Sequence, residues 1–138
     1  MGIVGIDHWV MVVGDLDRTL DFYARLGFQI AWEPRPGRPG PGMPTIRIGH
    51  AQKINVHGPD FPARPGYLGA RNPAVSAADF CLEWQGTVDE VLALLEKNGI
   101  ATEAGPGPRT CARGPSTSVY FRDPDGNLVE FTVYDRSA

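Results

Sequence analysis

The alternation of apolar and polar residues is clearest near the C-terminus, where it predicts two strands joined by a tight turn. Residues 119–121 are aromatic and β-branched, and the Asp-Pro-Asp-Gly at 123–126 is a strong turn signal because proline fixes φ and glycine tolerates positive φ. Beyond the turn, one face is apolar and the other carries Glu130. A mid-strand carboxylate needs a partner, so Glu130 is the first functional candidate.

The same order of elements is predicted twice along the chain. In the first half, residues 6–13 predict a central strand, Asp15 an N-cap, and residues 16–26 an amphipathic helix. In the second half, Thr87 and Glu90 predict a capping box that starts the second helix. The remaining predicted strands are 28–32, 45–48, 53–57, 78–85 and 100–104, followed by the closing hairpin.

An internal repeat of about 72 residues relates the two halves. An offset of 71 residues aligns the alternate apolar residues of the two first strands. At this offset His8 corresponds to Asp79. In the last strands, residues 52–57 match 127–132, so Asn55 is the repeat equivalent of Glu130. The predicted fold is therefore β-α-β-β-β, a linker, and β-α-β-β-β.

Three segments rich in proline and glycine predict connections. Residues 34–44 hold five prolines and three glycines, and this loop is long enough to cover a site. Residues 58–73 predict a second connection. Residues 105–115 predict a third, which carries Arg109 and Arg113.

Composition narrows the class of protein. The 138 residues suit one domain, and 42% hydrophobic with 21% charged residues is ordinary for a globular protein. A net charge of −3 gives no footprint for nucleic acid or for an anionic membrane. No transmembrane run or signal peptide is evident, so we expect a cytoplasmic protein. Cys81 and Cys111 predict reduced, inert thiols, with Cys81 as a small core residue.

Three segments carry a resemblance to the vicinal oxygen chelate superfamily, which includes glyoxalase I, bleomycin resistance proteins and extradiol dioxygenases. They are residues 7–13, 15–23 and 120–130, and the Phe-Arg-Asp-Pro-Asp-Gly-Asn-Leu-Val-Glu run is the most specific. Residues 53–57 and 107–115 resemble the glyoxalase domain-containing subgroup. The resemblance implies an α+β fold of two tandem βαβββ units, about 4–60 and 76–136 with a linker at 61–75, forming an incomplete mixed β-barrel with the helices outside. It also implies a homodimer.

The resemblance further implies a divalent metal, with His8 and Glu130 at positions where the family places ligands. The third ligand stays open, because Asp79 replaces the usual His and Asn55 the usual Glu, with His57 nearby. Imidazole and carboxylate ligands suit Zn, Ni, Mn or Fe. The alternatives are that His8 is a satisfied core histidine, that Glu130 caps a buried network and that His57 ends a strand. His50 is expected in an exposed turn.

Three function hypotheses follow from these residues. The first is a metal-dependent lyase, isomerase or dioxygenase acting on a small substrate with adjacent oxygens, in which Glu130 both ligates and transfers a proton. Arg113, Tyr120 and Lys53 are then candidates for substrate binding, with solvated or packed side chains as the alternative. The second is a non-catalytic, antibiotic-type binding protein. A bare scaffold is a third possibility.

Overall fold

The computed structural model describes residues 1–135 and divides the chain into two compact units, Met1–Ser76 and a second that begins at Ala77. Each unit contains one helix and one four-stranded mixed sheet, in the order β-α-β-β-β. This confirms the predicted α+β class of two tandem βαβββ units.

The first unit consists of a sheet in the order β1-β4-β3-β2 and one helix. β1 runs parallel to β4, whereas β3 is antiparallel to both β2 and β4. A short 3₁₀ turn, Phe61–Ala63, follows the sheet. The elements are β1 (His8–Val12), α1 (Leu16–Arg25), β2 (Gln29–Glu33), β3 (Met43–Ile48) and β4 (Gln52–His57).

The second unit repeats this arrangement with the strand order β5-β8-β7-β6. β5 runs parallel to β8, and β7 is antiparallel to both β8 and β6. The elements are β5 (Asp79–Glu83), α2 (Val88–Lys97), β6 (Ala104–Cys111), β7 (Gly114–Arg122) and β8 (Leu128–Tyr134).

The register of the parallel strands confirms the repeat. Val10 pairs with Asn55 in the first unit, and Cys81 pairs with Glu130 in the second. Asn55 and Glu130 therefore occupy equivalent positions, as the sequence predicted.

Both helices begin at the predicted caps. The Asp15 side chain accepts a hydrogen bond from the Arg18 amide at 3.0 Å. Thr87 and Glu90 form the full capping box, with distances of 3.2 and 2.8 Å. Such caps satisfy amides that the first turn leaves unpaired. Within residues 1–135, neither helix is long and apolar enough to cross a membrane.

Each sheet has a helix-side face, which forms the core, and a far face, which points away from the helix. The alternation along each strand sends successive side chains to opposite faces. The helix-side face is closely packed with apolar side chains, whereas the far face carries the polar candidates. The buried residues of the helix-side faces are Met11, Ile46, Ile54 and Val56 in the first unit and Val119, Phe121, Val129 and Phe131 in the second.

One predicted connection is a strand. Residues 105–115 were expected to form a loop after a short strand at 100–104, but β6 spans Ala104–Cys111. β6 is the edge strand of its sheet, where proline can be tolerated because only one side is paired. The register shifts between Ala104 and Gly107, and Gly105 has φ +86°. A Cβ at Gly105 would collide with the Ser118 carbonyl oxygen, so glycine permits this close approach of β6 to β7.

Candidate functional site

Glu130 lies half-buried on the far face of the second sheet, within a network of hydroxyl groups. Ser118 Oγ donates a hydrogen bond to Glu130 Oε2 at 2.6 Å and lies 2.8 Å from Thr132 Oγ1. Thr132 Oγ1 in turn lies 2.8 Å from Ser116 Oγ. These partners explain how a carboxylate is stabilised in mid-strand. Glu130 thus belongs to a polar network of its own unit, in keeping with one of the two interpretations of its position.

The two cysteines contact this network. Cys81 pairs with Glu130 in the strand register, and Cys111 Sγ lies 3.7 Å from Glu130 Oε2. Cys81 is exposed on the far face, so its interpretation as a core residue was wrong. Its thiol is nonetheless partly enclosed, and this burial, with Glu130 and Cys111 nearby, raises its pKa far above the ordinary value. The thiol is therefore protonated at neutral pH.

His8 begins β1 and is held by its neighbour in the sequence. Its Nδ1 lies 2.6 Å from Asp7 Oδ1. Because a carboxylate only accepts, Nδ1 must carry the proton, which leaves the lone pair of a neutral ring on Nε2. The same hydrogen bond lowers the pKa of Asp7. The His8 side chain is 43% exposed, so it is not a core histidine.

His57 ends β4 and is buried, with 6% exposure. Its ring stacks on Phe61 at a centroid distance of 3.8 Å. Burial, together with the charges of Arg35 and Arg64, lowers the His57 pKa, so the ring is neutral at neutral pH. Among residues 1–135, neither His57 Nδ1 nor the buried Asn55 Oδ1 has a hydrogen-bond partner.

Strand spacing determines which metal candidates lie near one another. His8 pairs with Lys53 and Val12 with His57, so His8 and His57 lie four residues apart, about 13 Å along the strands. That spacing does not bring them together as ligands of one ion. In the second unit, Asp79 is exposed and lies two residues before Cys81, the residue that pairs with Glu130. Asp79 is therefore on the same face of the sheet as Cys81, two residues earlier along the strand.

Lys53, a candidate for substrate binding, is half-buried and already paired within the first unit. Lys53 Nζ lies 2.5 Å from Glu33 Oε2, and Arg47 Nη1 lies 2.9 Å from Glu33 Oε1. The hydrogen bond from Lys53, reinforced by the charge of Arg47, lowers the Glu33 pKa. A substrate anion would have to compete with Glu33 for either cation.

Arg113 and Tyr120 also have partners within their unit. Arg113 makes two hydrogen bonds to Glu83, at 2.7 and 2.8 Å, and its guanidinium lies over the Tyr134 ring. The Tyr120 hydroxyl accepts a hydrogen bond from Arg109 Nε at 3.0 Å. His50 lies in an exposed turn, as predicted.

A cavity of about 460 Å³ lies within the first unit. Two aromatic side chains, Trp32 and Phe61, and three arginines, Arg35, Arg38 and Arg64, line it together with the proline-rich segment. The Arg64 guanidinium lies 4.6 Å from the centroid of Phe61, a cation–π distance. The cavity therefore combines flat apolar surfaces with positive charge.

Several contacts of these sites were not predicted from the sequence. Alternation in β8 places Thr132 on the same face as Glu130, and the hairpin register would have added Ser118. The contact of Cys111 with Glu130 was not predicted, because the segment that contains Cys111 was interpreted as a loop. No local sequence pattern indicates the stacking of Phe61 on His57, since this contact depends on how the chain turns after β4.

Comparison with known proteins identifies the family. Residues 5–131 match the model of the Glyoxalase/Bleomycin resistance protein/Dioxygenase superfamily. Because the match covers most of the chain and the fold agrees, the protein belongs to this superfamily. This confirms the resemblance inferred from the sequence motifs.

Individual relatives narrow the likeness. The Glyoxalase domain-containing protein RDO1 of Mycosarcoma maydis is 34% identical, over 97% of this chain and 70% of its own length. Virulence protein STM3117 of Salmonella typhimurium is 35% identical, over 94% of this chain and 83% of its own. Its crystal structure covers 98% of this chain and 100% of its own at 34% identity, with a TM-score of 0.85. The structure of Lactoylglutathione lyase from Agrobacterium tumefaciens covers 96% of both chains at 26% identity, with a TM-score of 0.70.

Proposed function

We propose that this protein is a metal-dependent, glyoxalase-like enzyme that acts on a small substrate with adjacent oxygen atoms. His8 of the first unit and Glu130 of the second are each proposed as a metal ligand. Asp79 remains a candidate for a further ligand, whereas the strand spacing argues against His57 in the same set as His8. Support comes from membership of the superfamily and from a 26% identical structure whose name is Lactoylglutathione lyase.

The observation that carries the proposal is the orientation of His8. Asp7 accepts the Nδ1 proton at 2.6 Å, so Nε2 presents a lone pair. Histidine ligands of metals are commonly oriented by a carboxylate in this way, because the hydrogen bond fixes the tautomer and makes the ring more basic. The half-exposed position of His8 leaves the ring accessible.

The surroundings of the other candidates also suit a ligand site. Glu130 is oriented by the short hydrogen bond from Ser118. Asn55, at the equivalent position of the first unit, has a buried Oδ1 without a partner in the described part of the chain. A buried acceptor of this kind favours a bound cation or a donor group of a ligand.

The roles of the side chains follow from these surroundings. A divalent ion would supply Lewis-acid stabilisation of a developing oxyanion. Glu130 is the group we assign to proton transfer, with Ser118 holding its carboxylate in position. Lys53 and Arg113 would bind an anionic part of the substrate only by displacing Glu33 and Glu83.

The test is metal analysis and turnover of the purified protein, with His50→Ala as a matched control for His8→Ala. We expect stoichiometric divalent metal, and turnover of thiohemiacetals, hydroxyketones or diols that depends on it. His8→Ala should lose the turnover, because it removes a ligand of the metal on which the turnover depends. His50→Ala should keep both the metal and the turnover, because His50 lies in an exposed turn.

The opposite result is equally clear. If the wild-type protein binds no metal after reconstitution with Zn, Ni, Mn or Fe(II), the enzyme proposal is wrong. Metal-dependent turnover by His8→Ala equal to that of the wild type would remove His8 from the ligand set.

The second candidate function is that of a non-catalytic small-molecule binding protein, favoured by the cavity of the first unit. Its aromatic and arginine lining suits a planar anionic ligand. We expect an aromatic carboxylate to bind wild-type protein and to bind Arg64→Ala at least about tenfold more weakly, as judged by calorimetry. Unchanged affinity in Arg64→Ala would contradict this candidate.

A further inference from the structure

The second unit holds a cluster of three metal-ligating groups that is independent of His8. Cys81 lies on β5, Cys111 on the edge strand β6 and Glu130 on β8. Each residue offers one ligand atom, and the two sulfurs and the carboxylate oxygen all lie within 4.8 Å of one another. The three come from separate strands of one sheet, so the fold rather than the local sequence brings them together.

The spacing of these atoms is close to that of a metal site. With Zn–S bonds of about 2.3 Å and Zn–O bonds of about 2.1 Å, tetrahedral ligands lie about 3.6–3.8 Å apart. Cys111 Sγ and Glu130 Oε2 are 3.7 Å apart, within that range. The other pairs, at up to 4.8 Å, require side-chain shifts of about 1 Å.

The chemistry of the three groups selects the kind of ion. Two thiolates with a carboxylate suit a borderline-soft divalent cation such as Zn²⁺, whereas they do not suit Mg²⁺ or Ca²⁺, which prefer oxygen ligands alone. Thr132 Oγ1 lies 3.5 Å from Cys111 Sγ. Ser118 and Thr132 therefore form a layer of hydroxyls that can orient the carboxylate and a thiolate.

We propose that Cys81, Cys111 and Glu130 form a binding site for a thiophilic divalent cation, Zn²⁺ or a close analogue, within the second unit. Coordination forms two metal–sulfur bonds and one metal–oxygen bond. The two thiol protons that are displaced pass to solvent. The fourth position of a tetrahedral ion stays open for water or for a ligand.

This site goes beyond the proposed function, because it needs neither His8 nor any residue of the first unit. Glu130 is the one group common to both proposals. An ion held by the cysteines would occupy the carboxylate that the enzyme proposal assigns to proton transfer, so the two uses of Glu130 would compete.

The test uses Co²⁺ as a probe, because sulfur-to-cobalt charge-transfer absorption reports thiolate ligation directly. Reduced, metal-free protein is titrated with Co²⁺ without oxygen. We expect a near-ultraviolet charge-transfer band that saturates at one equivalent and disappears when Zn²⁺ is added. Cys81→Ser and Cys111→Ser should each weaken or abolish the band, while circular dichroism verifies that both variants fold.

Two controls separate this inference from the enzyme proposal. His8→Ala should keep the charge-transfer band, and Ser116→Ala, which alters the hydroxyl network without removing a ligand, should keep it too. Bound Co²⁺ without a charge-transfer band would overturn the cysteine site and leave the His8 proposal standing. Purified protein with a Cys81–Cys111 disulfide that binds metal equally well when oxidised or reduced would overturn the site as well.

Discussion

The far faces of the two sheets share one backbone pattern and differ in almost every side chain. Asn55 occupies the position of Glu130, and Val10 that of Cys81. The first far face holds an ion-pair cluster around Glu33, whereas the second holds hydroxyls, thiols and a carboxylate. The helix-side faces, in contrast, are apolar and buried in both units.

The comparison separates what the fold requires from what it permits. Packing against a helix demands apolar residues at alternate positions, and both units meet that demand with similar side chains. Strand pairing uses backbone groups, so it does not restrict the other face. Function is therefore expected on the far faces, where the two units differ.

The largest effect expected comes from comparing adjacent residues on opposite faces of β4. Ile54 is fully buried on the helix-side face, so Ile54→Ala should lower the free energy of unfolding by about 2–5 kcal/mol through lost burial and a cavity. Asn55→Ala on the far face should cost less than about 1 kcal/mol, because its Oδ1 has no hydrogen-bond partner among residues 1–135. Urea unfolding measures both. Equal losses would break the contrast between the faces.

An intermediate effect is expected in the hydroxyl network of the second far face. Ser118 is fully buried and contacts both Glu130 and Thr132, so Ser118→Ala should cost about 1–3 kcal/mol by leaving polar groups underpaired. Ser116→Ala is the matched control, since Ser116 contacts Thr132 and should cost about 1 kcal/mol. The network would be less important than proposed if Ser118→Ala were no more destabilising than Ser116→Ala.

The smallest effect expected is a pH dependence that belongs to the first unit. The folded-state pKa of His57 is lowered from 6.5, so the unfolded chain binds its proton more readily. The stability that His57 contributes is therefore present above pH 6.5 and is lost as pH falls through the folded-state pKa. Unfolding measured between pH 7.5 and about 5 should show less of this loss in His57→Gln. His50→Gln should follow the wild type, and a His57→Gln profile that matches both would remove His57 as the cause.

The sequence predicted best what depends on neighbouring residues. Asp15 and the Thr87–Glu90 capping box start helices through contacts three residues away, so the local pattern contains the whole interaction. The internal repeat also anticipated that Asn55 and Glu130 occupy equivalent positions in their units. These features need no knowledge of distant parts of the chain.

What the sequence did not predict depends on contacts between distant strands. β6 was interpreted as a loop because its prolines and glycines conceal the strand pattern. Proline is compatible with this strand only because β6 lies at the edge of the sheet. Cys81 was assigned to the core by residue type, although alternation with Phe80 places it on the far face. The stacking of His57 on Phe61 has no local signal at all.

Gly105 adds a lesson for protein engineering. It carries no reactive atom, yet only a residue without a Cβ lets β6 approach the Ser118 carbonyl, and β6 is the strand that supplies Cys111. Grafting the thiols and the carboxylate onto another member of the superfamily would thus fail unless this glycine were grafted with them. The cluster therefore depends on Gly105, a residue that contributes only by having no side chain.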